Sequence, residues 1–194
     1  TSKYNAAQRA AYNRVFSTHI RVRHASIINA LATLGKELSE GTSVGVHKRI
    51  DTPGTRMNQG LKGNFSIDEY VEAARLVVTE HETRTGCAVT AVYLATDDEA
   101  AERAFRVAFG ERLCVRRGVT RVRGGVNPDG THNEVHSRTS PFNPTCTLQD
   151  AADVLTDALL LAKCDLVLHA DSNVTTAVSL IAPASTGMRH ITDV

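Results

Sequence analysis

The sequence predicts an α/β protein: a parallel sheet with helices on both faces. Three observations carry this. Short apolar runs rich in β-branched residues alternate with amphipathic stretches of helical length. Capping signatures open helices just beyond two of the runs. And 194 residues with 42% hydrophobic content suffice for one well-buried core. Residues 1–194 are accordingly read as a single domain, with residues 1–40 as flanking helices and 118–146 as a surface insertion.

Residues 4–16 and 19–38 repeat apolar residues at three- and four-residue spacing and read as two helices. Ser43–Lys48 is a strand. Asp51–Asn64 carries Pro53 and three glycines and reads as a loop. Ser66-Ile-Asp-Glu69 is a capping box that starts a helix running to about Arg84. Ala88–Thr96 is a central strand. Thr96-Asp-Asp-Glu99 reads as a second capping box, opening a helix to about Phe109. Arg112–Arg117 is a short strand, and Gly118–Asn143 a polar insertion. Thr147-Leu-Gln-Asp150 caps a helix to Lys163, with its apolar face at Ala151, Val154, Leu155, Ala158, Leu159 and Leu161. Cys164–His169 is a strand, and Asp171-Ser172-Asn173 opens a helix to about Ile181.

The net charge of +1 sets up no global field that would draw a polyanion. Basic residues are unevenly spread, with eight Lys and Arg against two acids in residues 1–49. Such a local excess suits a small anionic ligand. Arg9, Arg14, Arg21 and Arg23 raise a nucleic-acid reading, but no aromatic stacking pattern accompanies them. Cysteines 87, 114, 146 and 164 form no CxxC pair, so no zinc site is expected. Cys87, Cys114 and Cys164 flank strand-like runs and read as buried thiols. No run is long enough to span a membrane. Neither GxGxxG nor GxxxxGK[ST] occurs.

In an open parallel sheet the ligand lies at the carboxyl ends of the strands. Here the first strand ends in His47-Lys48-Arg49, the second in Thr96-Asp97-Asp98 and the last in His169 to Asn173. Alternation puts His47 and Arg49 on one face and Lys48 on the other. A guanidinium offers a planar fork that matches phosphate, and the helix opening at Ser172-Asn173 offers free N–H groups and a favourable dipole. Arg49 and that helix start are thus placed to grip one diphosphate. Asp157 can accept only, which suits the ring N–H groups of a purine. Asp97 and Asp98 join the ligand-facing set, although first-turn acids on a helix dipole are their competing reading.

Three blocks resemble a known family. Val44-Gly45-Val46-His47-Lys48-Arg49 is similar to the V-G-V-H-x-R strand of the GDP-fucose fucosyltransferases, which include the α1,6-, nodulation and protein O-fucosyltransferases. Val92-Tyr93-Leu94-Ala95-Thr96-Asp97-Asp98 resembles their V-Y-x-A-T/S-D-D segment. Asp157 to Asp165, followed by Ser172-Asn173, resembles their D-x-x-x-L-x-x-x-D helix–strand block. The blocks occur in order across residues 43–182. The resemblance implies the C-terminal, Rossmann-like donor lobe of a GT-B glycosyltransferase, with an acceptor-binding lobe outside this chain. It implies that Arg49 holds the diphosphate, His47 contacts the nucleotide, Asp157 reads guanine, and Ser172 and Asn173 meet the phosphates. The implied partners are a nucleotide sugar and a carbohydrate or protein hydroxyl acceptor, with no nucleic acid. The implied chemistry is inverting transfer, without metal or cofactor beyond GDP-fucose as donor. The compartment would be the Golgi or ER lumen in a eukaryote and the cytoplasm in a bacterium. Ile50 stands where some members carry a second arginine. The alternative expectation is therefore a nucleotide-binding or scaffolding lobe without transferase activity.

Overall fold

The computed structural model describes residues 5–49, 65–119 and 148–194. The expected loop at Asp51–Asn64, the expected insertion beyond Val119, Cys146 and the Thr147 cap lie outside these residues. Helix α1 (Ala6–His19) and α2 (Ala25–Ser39) lead into β1 (Thr42–Lys48). Then come α3 (Ile67–Thr85), β2 (Val89–Thr96), α4 (Glu99–Phe109), a 3-10 turn and β3 (Leu113–Cys114). After that follow α5 (Leu148–Leu161), β4 (Leu166–His169), α6 (Asn173–Ile181), β5 (Gly187–His190) and a closing 3-10 turn.

The five strands form one parallel sheet in the order β3-β2-β1-β4-β5. Val44 and Val46 of β1 point into a core layer with Val92 and Leu94, closed by Tyr70, Ala74 and Val77 of α3 and Phe105 of α4. The opposite layer joins Ala91, Tyr93 and Val167 to Leu38 of α2, Leu160 and Leu161 of α5 and Val178 of α6. A sheet buried on both faces is what continuous apolar strands require. Gly45 makes the close approach of α5 possible: a Cβ there would sit 2.9 Å from Leu161 Cδ2 and 3.1 Å from Cys164 Sγ.

Several expectations are corrected. α1 runs on to His19, and residues 20–24 are non-helical. Ile20-Arg21-Val22-Arg23 alternates with period two, and the Arg21 guanidinium closes α1 by donating to Ser17 O and Ile20 O. Arg9 is no surface cation. It is buried and donates to Ser179 O, Pro183 O and Thr186 O at the end of α6, where the helix dipole favours positive charge. Two of the four arginines behind the nucleic-acid reading are thus spent on carbonyls. Asp98, not Thr96, caps α4. Its carboxylate accepts from Ala100 N at 2.8 Å, while Thr96 Oγ1 accepts from Asp98 N. β3 and β4 are shorter than expected. Cys114 and Cys164 are buried, and burial pushes each thiol up to about 12, but Cys87 is exposed.

The largest correction concerns α5. Ala151, Val154 and Leu155 face outward, and Ala152, Asp153 and Thr156 face inward. Strand β5 was not anticipated, because Gly187-Met188-Arg189-His190 has no β-branched residue. Its pairing with β4 alone brings it into the sheet.

Candidate functional site

The chain order reverses between β1 and β4. β1 leads to α3 on one face, and β4 leads to α6 on the other. Such a switch point leaves a crevice at the carboxyl ends of the two strands. The register fixes what lines it. His47 of β1 lies opposite Ala95 of β2 on one side and His169 of β4 on the other. Strands sit about 4.8 Å apart, so the segments leaving β1 through Arg49 and β4 through Ser172 start as neighbours.

His47 is half-buried at this rim. Desolvation first, then the charge of Arg49, then His169 and Lys48, push its pKa down to about 4. Lys48 takes the opposite face, buried at 1% exposure. It lies over the Tyr70 ring, 5.5 Å from the centroid, and donates to Arg49 O at 2.6 Å. Arg49 follows the strand and is half-buried. Ser172 is the N-cap of α6 in a reciprocal capping box with Thr175, and Asn173 is the first helical residue. The Thr175 hydroxyl also donates to Ala170 O, which ties the helix start to the strand end.

Asp97 and Asp98 leave β2, on the side of β1 away from the switch point. Asp98 is occupied as the α4 cap. Asp157, half-buried on α5, accepts from Tyr93 Oη at 2.7 Å and from Arg116 Nη1 at 3.2 Å. Arg116 also binds the Asp153 carboxylate and donates to Asp153 O at 2.7 Å. Burial works against its charge, yet Asp157 and Asp153 raise its pKa above the ordinary arginine value.

The sequence reading gave four side chains no role of their own: Tyr93 and His169, which it placed in a strand and at a strand end, and Arg116 and His190. His169 and His190 are register partners, with rings edge to face and centroids 5.5 Å apart. His190 Nδ1 accepts from Thr192 N. His169 Nδ1 donates to Ala170 O at 3.1 Å, which leaves Nε2 as a lone-pair acceptor. That atom is buried and has no hydrogen-bond partner among the described residues. Burial lowers the pKa of this imidazole. His169 follows a short apolar run, as His47 does; no such signal precedes His190. Among the described residues no three His, Cys, Asp or Glu side chains gather as a metal site, and no helix is long and apolar enough to cross a membrane.

The fold and this rim define a class: a Rossmann-like lobe whose switch point joins a basic strand end to a helix N-terminus. Solved structures of similar architecture exist. The crystal structure of NodZ alpha-1,6-fucosyltransferase soaked with GDP-fucose matches 88% of this chain and 46% of its own, with TM-score 0.52 and 16% identity. The same enzyme co-crystallized with GDP matches at TM-score 0.49 and 18% identity over the same shares. POFUT1 in complex with GDP matches 86% of this chain and 46% of its own, at TM-score 0.45 and 13% identity. The chain spans less than half the length of these structures. At such identities the likeness is one of fold, carried by the first of the three, and it agrees with the fold that the sequence blocks imply. No protein-family model and no curated protein sequence matches the chain.

Proposed function

We propose that the chain is the donor-binding lobe of an inverting, metal-independent glycosyltransferase whose donor is GDP-fucose or a closely related nucleotide sugar. The observation that carries this reading is the β1–β4 register, His47 opposite His169. It sets side by side the strand ends that lead on to Arg49 and to the α6 N-terminus, which supports placing them together at the switch point. A diphosphate between them would meet a guanidinium fork on one side and helix N–H groups on the other.

In this reading the acceptor hydroxyl attacks the anomeric carbon from the face opposite the diphosphate. The bond from that carbon to the β-phosphate oxygen breaks, and its electron pair stays on the leaving GDP. Arg49 and the first turn of α6 bind that charge more strongly in the transition state than in the ground state, which is how they lower the barrier. The hydroxyl proton leaves to a base on the acceptor side. His47, held neutral, contacts the nucleotide by hydrogen bonding rather than by charge, and Asp157 accepts from guanine N–H groups. The GDP-fucose soaked into the matched NodZ crystal structure supports the choice of ligand.

Thermal unfolding with GDP, ADP and UDP at equal concentration tests the reading. A ligand at a hundred times its Kd stabilises by about 2.7 kcal/mol. GDP should raise the Tm by several degrees, ADP and UDP by far less, and Arg49→Ala should lose the GDP shift while keeping its circular dichroism. Equal shifts from all three nucleotides would refute guanine recognition. Ile50 favours a second reading, a nucleotide-binding lobe without turnover. Sugar transfer by the chain together with its acceptor-binding lobe, abolished by Arg49→Ala, would eliminate it.

A further inference from the structure

The first half of α5 departs from its hydrophobic pattern. Val154 and Leu155 are 52% and 39% exposed, while Asp153 and Thr156 are buried. Burying an aliphatic side chain is worth about 1.5–3 kcal/mol. Leaving Val154 and Leu155 outside forgoes that gain, although Leu159, Leu160 and Leu161 in the second half of the helix are buried. The groups that hold it are specific. Tyr93 comes from β2, in register with Gly45 of β1. Arg116 comes from the segment after β3. The two converge on Asp157 from different elements, and both bind the same oxygen, Oδ1. Arg116 reaches on to Asp153, whose Oδ1 also accepts from Gln149 Nε2 at 2.9 Å. Thr156 takes no part and donates to Ala152 O within the helix.

Buried ion pairs seldom add net stability over apolar packing. What a two-carboxylate, one-guanidinium cluster does supply is orientation. Arg116 is planar and bidentate across Asp153 and Asp157, so it sets the rotation of the helix. The Tyr93 hydroxyl, itself deeply buried and held protonated by desolvation and by Asp157, sets the plane of the Asp157 carboxylate. As a carboxylate, Asp157 presents acceptors alone.

From this geometry we infer that Tyr93 and Arg116 are positioning residues for base recognition: they hold the Asp157 carboxylate through Oδ1 and so fix its orientation toward the N–H edge of a purine. The inference rests on the proposed donor-site reading, because it assigns these residues through Asp157. The purine class follows from the clamp. An acceptor-only group held in one orientation matches a ring N–H and an adjacent amino group, as guanine has, and rejects the ring nitrogen acceptor that adenine presents at that edge.

Isothermal titration of the intact chain with GDP, ADP and pyrophosphate separates the possibilities. Tyr93→Phe removes one hydroxyl and leaves the ring in the core. It should weaken GDP about ten-fold, reduce the preference for GDP over ADP, and leave pyrophosphate unchanged. Arg116→Gln should do the same, and Tyr93→Phe keeps the test alive if Arg116→Gln does not fold. A uniform loss for all three probes, or no loss for any, would overturn the positioning role. Asp157→Asn is read separately. If it leaves the GDP-over-ADP preference intact, the base-reading assignment itself falls, whatever Tyr93→Phe does. If it abolishes the preference while Tyr93→Phe does not alter it, only the clamp is refuted.

Discussion

His47 should make the protein less stable in mild acid, by an amount the site geometry sets. In the unfolded chain its imidazole titrates near 6.5, and in the fold near 4, first because the strand end is desolvated and then because Arg49 lies close. The folded state therefore binds fewer protons than the unfolded one below pH 6.5. The stabilisation from keeping His47 neutral is whole above that value, shrinks as the pH falls, and is gone below about 4. Linkage with those two values gives about 2 kcal/mol lost by pH 5 and about 3 kcal/mol by pH 4. Screening of the Arg49 and Lys48 charges makes these upper figures. His47→Gln has no such proton to take up. Urea unfolding of both proteins from pH 8 to pH 5 should show the stability difference narrowing by about 2 kcal/mol, roughly one molar in midpoint. GDP should restore part of the loss in the wild type and not in the variant, because the diphosphate offsets the Arg49 charge and raises the histidine pKa. Parallel pH curves for the two proteins would mean that His47 is solvated like any surface histidine, and the reasoning about a desolvated rim would fail.

Two further outcomes follow from named contacts. Ser172→Ala opens the capping box of α6 and should cost about 1 kcal/mol. It should also weaken GDP several-fold by titration. Asn5→Ala, which opens the equivalent box on α1, should cost a similar amount and leave GDP affinity unchanged; equal effects of both on GDP would refute the helix start as a phosphate site. Gly45→Ala drives a Cβ into Leu161 and Cys164 and should destabilise by about 1–3 kcal/mol in denaturant, while a neutral result would show more slack between β1 and α5 than the packing allows.

Much of the scaffold was legible because backbone chemistry writes itself locally. β1 and β2 are apolar and β-branched, and Ser66 and Ser172 open helices by capping. What stayed hidden was decided by tertiary partners. The apolar face of α5 was read correctly at Ala158, Leu159 and Leu161 and misread at Ala151, Val154 and Leu155, because pattern alone turns aspartates outward. Arg116 and Tyr93 pull Asp153 and Asp157 inward instead, and no spacing rule connects residues 93, 116 and 157. Thr96 looked like a cap because it stands three before Glu99, but Asp98 is closer to the first helical N–H groups and takes the role. β5 has no strand signal of its own and is templated by β4. Of the site, the three strand ends could be read, but the His47–His169–His190 row could not, since it depends on strand order.

The central claim is that a diphosphate sits between Arg49 and the first turn of α6. A crystal structure of the chain with GDP tests it most directly. The account predicts the β-phosphate within hydrogen-bonding distance of both the Arg49 guanidinium and a backbone N–H at the start of α6, with the guanine edge on Asp157. Ordered GDP bound elsewhere, or bound at the rim with Arg49 turned away from the phosphates, would contradict it.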